Sequence, residues 1–76
     1  MTTAELYSVY CRAHADFDRD RRAPVLRAGM SAVELAVAGF AAEDAANGTP
    51  LRSREAFERA IATGLAALLP LGLRAA

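Results

Sequence analysis

Apolar residues recur every three or four positions in three separate stretches of this 76-residue chain. That spacing places them along one side of an α-helix, whereas a half-buried strand would alternate apolar and polar residues. Nineteen residues are Ala, the strongest helix former. The sequence therefore predicts an all-α fold, a small three-helix bundle in a single domain over residues 1–76 with a short apolar C-terminal tail.

The first helix is predicted over residues 3–20 and the third over residues 53–68. Thr2 and Glu5 have the spacing of a capping box, in which two side chains satisfy the unpaired N–H groups at a helix start. Ser53 is a good cap for the third helix. Pro70 ends that helix, because proline disfavours helical geometry in the residue before it.

The second helix is predicted as one continuous segment over residues 24–46. Pro24 suits a first helical position because it has no N–H to lose there. Asn47 and Gly48 end the helix, since both tolerate a left-handed backbone. The predicted apolar stripe runs without a break through Leu26, Met30, Val33, Val37, Phe40, Ala41 and Ala45.

A second interpretation of this stretch stays open. Ser31 and Glu34 have capping-box spacing of their own, and Gly29 comes just before them. In that case the stretch up to Gly29 is a short turn, and the main helix begins at Ala32.

Small residues also line one side of the second and the third predicted helices. Such stripes let two helix backbones approach closely. We expect them to pack on each other within one monomer or to form a groove for a partner. The residues concerned are Ala32, Ala36, Gly39 and Ala46, and Ala56, Ala60, Gly64 and Ala67.

Composition excludes several classes of protein. A single Cys forms no disulfide within the chain, and zero net charge weakens the electrostatic case for nucleic acid. A chain this short has a small core, which oligomerisation or docking commonly supplements. The sequence predicts no secretion signal and no membrane span, so we expect a cytoplasmic protein.

One helix face carries the residue types of reactive chemistry. Tyr7, Cys11, His14 and Asp18 follow one another at helical spacing in the first helix. Cys, His and carboxylate ligands suit zinc, but a structural zinc site needs four ligands and the chain has no other Cys or His. A Cys–His nucleophilic pair also needs a pocket and an oxyanion hole. We therefore expect no metal, no cofactor and no catalytic residue.

The run from Met30 to Leu35 resembles the recognition helix of acyl carrier proteins, in which a similar Val-Glu-Leu follows the modified serine. Aligned on Val33-Glu34-Leu35, the position of that serine falls on Gly29, and the acidic residue before it falls on Ala28. The resemblance therefore implies no prosthetic group in this chain.

The apolar surface predicted beyond the core indicates a protein partner. Val25 and Leu35 lie off the main stripe of the second helix, and three tail leucines add to this surplus: Leu69, Leu71 and Leu73. We expect a homodimer and a non-catalytic interaction module. Such a module is a small adaptor, an accessory subunit or an inhibitor, for example one with which a phage or mobile element blocks a host defence complex.

The alternative function is a small nucleic-acid-binding regulator. Two clusters of arginines would carry it, Arg19, Arg21 and Arg22 in one and Arg52, Arg54 and Arg59 in the other. Acidic residues interleave both clusters. A continuous basic face would favour this alternative, whereas scattered pairs of arginines and acids would favour the interaction module.

Overall fold

The protein is an all-α three-helix bundle, described here from a computed structural model over residues 2–68. The helices are α1 (Thr3–Asp20), α2 (Ala32–Ala46) and α3 (Arg54–Leu68), and the described residues contain no strand. Side chains of α3 are described up to Gly64. Within this part of the chain, no helix combines the length and apolarity that crossing a bilayer requires.

Local contacts set both ends of α1, side-chain hydrogen bonds at its start and a backbone hydrogen bond at its end, and its predicted bounds are confirmed. Glu5 N–H donates to Thr2 Oγ1 over 3.2 Å, and Thr2 N–H donates to Glu5 Oε1 over 3.1 Å. Arg21 closes the other end in a left-handed conformation with φ 55°, and its N–H donates to Phe17 O over 2.8 Å. A non-glycine residue is uncommon in that conformation.

The prediction of a continuous second helix from Pro24 is wrong, because α2 begins at Ala32. Ser31 and Glu34 form a complete capping box, with Glu34 N–H donating to Ser31 Oγ over 3.1 Å. Gly29 has φ +83°, which is incompatible with an α-helix. The alternative interpretation, a turn followed by the main helix from Ala32, is therefore the correct one.

The start of α3 lies one residue from its prediction. Ser53 Oγ accepts the Ala56 N–H over 3.2 Å, which gives Ser53 the capping role expected of it. At the end of α2, Asn47 is the cap residue and Gly48 has φ +76°. Gly48 thus supplies the left-handed backbone that turns the chain toward α3.

The core is one cluster of four fully buried residues drawn from all three helices: Tyr10, Val37, Ala41 and Phe57. Half-buried side chains surround it, among them Phe40 and Ile61. Two residues predicted for the core stripe are exposed instead, Leu26 by 63% and Val33 by 44%. Leu26 lies in the stretch that is not helical, so helical spacing does not orient its side chain. Val33 lies in the first turn of α2, where its side chain is exposed to solvent.

The helices contribute unequally to this core. α1 packs along α2, whereas the described part of α3 touches α1 at few positions and α2 at fewer still. The small-residue stripes of α2 and α3 do not pack tightly on each other. Among the described residues, a Cβ atom added at Gly39 or Gly64 would meet nothing within 4 Å. The described parts of α2 and α3 therefore leave space at both glycines.

We expect Phe57→Ala to lower the free energy of unfolding by about 3–5 kcal/mol, because it empties a fully buried site that joins α3 to the core. Ile61→Ala removes a half-buried side chain and should cost less. Arg22→Ala, at an exposed position, is the control and should change little. Urea unfolding followed by circular dichroism measures all three, and equal losses would contradict this description of the core.

Candidate interaction surface

The most buried charge in the described chain belongs to Asp44, on α2. Its side chain is 7% exposed and accepts two bonds from the Arg52 guanidinium, Nε to Oδ2 over 2.7 Å and Nη2 to Oδ1 over 3.0 Å. Tyr10 Oη donates a third bond to Oδ2 over 2.8 Å. Asp44 is thus satisfied by one residue of α1 and by one that precedes α3.

These contacts change the titration of the groups involved. The Arg52 guanidinium bound to Asp44 holds the pKa of that carboxyl below its ordinary value, and the Tyr10 hydroxyl adds to the effect. Burial raises the pKa of Tyr10. Asp44 is therefore a carboxylate and Tyr10 a neutral hydrogen-bond donor at neutral pH.

The same cluster holds the linker between α2 and α3 against α1. Tyr7 Oη donates to Arg52 O over 2.6 Å, and Arg52 N–H donates to Tyr10 Oη over 3.1 Å. His14 Nε2 lies 2.9 Å from Thr49 O and donates to it. Among the described residues, every buried side-chain N or O atom has a partner. The buried polar atoms of this cluster consequently stabilise the fold through hydrogen bonds within the chain.

The reactive residue types of α1 are part of this structural arrangement. His14 is 7% exposed, and its second ring nitrogen, Nδ1, lies 3.5 Å from Asp18 Oδ2. Cys11 is half-buried and packs against the core cluster. Within residues 2–68, no group of three or more His, Cys, Asp and Glu residues could hold a metal ion.

Three of the six candidate arginines are bound to carboxylates of the chain. Arg19 contacts Asp16 over 3.0 Å and Asp20 over 3.1 Å, and Arg54 contacts Glu58 over 3.0 Å. Arg52 is the half-buried partner of the buried Asp44. These ion pairs neutralise part of the positive charge of both predicted arginine clusters.

The other three candidate arginines have different surroundings. The guanidinium of Arg21 lies 5.6 Å from the centre of the Phe17 ring, within the range of a cation–π contact. Arg22 is exposed beside Asp20, and its charge helps to lower the pKa of that carboxyl. Arg59 lines an open groove of about 550 Å³ along α3.

Among the described residues, the two large apolar side chains with the highest exposed fractions lie between α1 and α2. We call residues 22–30, which are not helical, the connecting segment. Val25 is 62% exposed and Leu26 is 63% exposed, and they are neighbours in the chain. Leu51, 50% exposed, lies elsewhere, in the linker before α3. Val25 and Leu26 therefore form the candidate interaction surface.

Local structure holds the connecting segment at both ends. Arg21 caps α1 at one end, and the capping box of Ser31 begins α2 at the other. A turn precedes Ser31, with Met30 N–H donating to Arg27 O over 3.0 Å. The segment is thus a short bridge between two fixed helix ends.

The structure places the predicted partner-binding residues in different environments. Val25 is exposed, as its place off the core stripe indicated, whereas Leu35 is half-buried on α2. The tail residues Leu69, Leu71 and Leu73 lie outside the described residues. Leu26 was missed because a continuous helix would have turned it toward the core. Gly29 followed by the capping box at Ser31 is the sequence signal that would have placed Leu26 outside the helix.

Comparisons of this chain with protein-family models, with curated proteins and with solved structures give no significant match.

Asp44→Asn should lower the free energy of unfolding at pH 7 by about 1.5–3 kcal/mol, the scale of hydrogen bonds to a charged group. The pKa of Asp44 is lowered by folding, so its carboxylate stabilises the protein fully above its unfolded value of about 3.9. That contribution is lost as pH falls through the lower pKa of the folded state.

Chemical unfolding of the wild type and Asp44→Asn between about pH 2 and pH 7 tests this, because the difference between them should shrink as the pH falls below about 3.9. Asp20→Asn is the matched control: folding also lowers the pKa of Asp20, but that carboxyl is exposed beside Arg19. A difference for Asp44→Asn that did not vary with pH would contradict the ion pair.

Proposed function

We propose that this protein is a non-catalytic protein-binding module, acting as a small adaptor, an accessory subunit or an inhibitor of a larger assembly. The observation that carries the proposal is the exposure of Val25 and Leu26, which are neighbours in the sequence of the connecting segment. A partner that removes apolar side chains from water gains free energy by doing so. An inhibitor from a phage or mobile element is one example of the class.

The engagement of the polar side chains supports a role in binding rather than in catalysis. His14 lies against Thr49 O and Asp18, and Asp44 is bound by Arg52 and Tyr10. A general base or nucleophile needs a free group aimed into a cleft. We also propose a cytoplasmic location, since the thiol of Cys11 suits a reducing compartment.

The alternative function, nucleic-acid binding, has weaker support. Arg19, Arg52 and Arg54 are bound to carboxylates, which matches the scattered pairs expected of an interaction module. The net charge of zero also removes the broad positive field that attracts phosphates.

Affinity capture from the native host, followed by mass spectrometry, tests the proposed function. We expect the wild type to retain a specific protein that the double variant Val25→Ser, Leu26→Ser loses. Leu51→Ser is the matched control, because it removes an exposed apolar side chain from another part of the surface. Capture that is equal for all three proteins would contradict a binding role for the connecting segment.

We further propose that the protein associates with itself through the small-residue faces of α2 and α3. The open space around Gly39 and Gly64 supports this, because small residues that are not packed within the monomer permit close approach of a second helix. A two-fold dimer is the commonest way for a chain to cover such a face with its own copy.

Sedimentation equilibrium at about 100 µM, well above a micromolar dissociation constant, should give a mass above the monomer's 8.0 kDa. Gly64→Leu should shift the mass toward the monomer, because its larger side chain would occupy the face on which a second helix approaches. A Cβ atom at this position meets none of the described residues within 4 Å. Gly64→Ala is the control with a smaller side chain. A clean monomer for the wild type would exclude self-association at this concentration.

A further inference from the structure

The connecting segment combines its apolar surface with an unbalanced positive charge. From residue 21 to residue 33 the chain carries three arginines and no acidic residue; the next carboxylate is that of Glu34. Arg22 and Arg27 lie on either side of Val25 and Leu26 in the sequence, and both arginines are exposed. A partner that covers the two apolar side chains therefore meets positive charge at both edges.

The backbone of this segment is also available to a partner. Within residues 2–68, the backbone N–H groups of residues 22–29 donate no hydrogen bond to the protein, Pro24 having none to donate. Because these residues are almost all exposed, water satisfies the groups in the free protein. An extended peptide lying alongside can replace that water, with its own backbone carbonyl groups accepting from these N–H groups.

We propose that the connecting segment binds an extended acidic peptide of another protein, a proposal that rests on the protein-binding function above. Apolar side chains of the peptide cover Val25 and Leu26. Its carboxylates, on either side of those side chains, bind Arg22 and Arg27. Because the segment is held between two capped helices, it loses little conformational freedom on binding, which favours affinity.

The charges next to the segment favour a peptide over a lipid or nucleic-acid surface. Asp16, Asp18 and Asp20 end α1 immediately before the segment. A broad anionic surface large enough to contact all the arginines would also approach these carboxylates and be repelled by them. A narrow peptide can follow residues 22–27 alone. The phosphates of a nucleic acid, in addition, would leave Val25 and Leu26 uncovered.

Selection of random peptides displayed on phage against the full chain tests the proposal. We expect enriched peptides to carry Asp or Glu on either side of apolar residues. Fluorescence anisotropy with the synthetic peptides then measures affinity. Val25→Ser with Leu26→Ser should weaken binding at least tenfold, Arg22→Gln with Arg27→Gln should weaken it several-fold, and added salt should weaken it further. Leu51→Ser and Arg59→Gln are matched controls and should bind as the wild type does.

Several results would overturn the proposal. These are enrichment of no peptide, enrichment of neutral or basic peptides, or equal binding by the segment variants and the wild type. Binding of phosphatidylserine vesicles or duplex DNA in place of any peptide would overturn it as well. If native capture still depended on Val25 and Leu26 while no acidic peptide bound, the protein-binding function would stand and the acidic peptide would be excluded.

Discussion

The buried carboxylate of Asp44 is the constraint on which the arrangement of the three helices depends. An ionised group out of water is costly unless it is paired and hydrogen-bonded. The pairing here draws Tyr10 from α1 and Arg52 from the residues before α3 to one point on α2. A chain of this size has little core with which to hold α3 by apolar contact alone. The ion pair and the fully buried Phe57 together attach α3 to the other two helices.

Most of the polar side chains that could take part in binding or catalysis are already bound within the bundle. The hydroxyls of Tyr7 and Tyr10, the ring of His14 and the guanidinium of Arg52 all contact groups of the same chain. The connecting segment differs, because its side chains extend from a backbone that no helix or strand incorporates. Exposed apolar side chains, backbone N–H groups that donate to no acceptor within residues 2–68, and an excess of arginines over acidic residues between positions 21 and 33 coincide there, and this coincidence is what favours a binding role.

Much of the fold could be predicted from neighbouring residues, and the candidate site only in part. The start of α1 and the cap of α3 follow from side chains three residues away, so the sequence pattern sufficed for both. The prediction of where α2 begins was wrong, because the apolar spacing through Leu26 and Met30 was given more weight than the capping box at Ser31. Leu26 was therefore predicted to be a core residue. Val25 was predicted to be a partner-binding residue because it lay off the apolar stripe.

The sequence by itself determined the helical class, the caps and the ends of α1, because these depend on contacts within one helical turn. It also showed the excess of apolar residues, of which Val25 is one. Only the tertiary structure decided that Asp44, Arg52 and Tyr10 meet, and that the small-residue stripes of α2 and α3 stay apart. Those outcomes depend on contacts between residues far apart in the chain, where burial and charge pairing between helices outweigh the local pattern that spacing reveals.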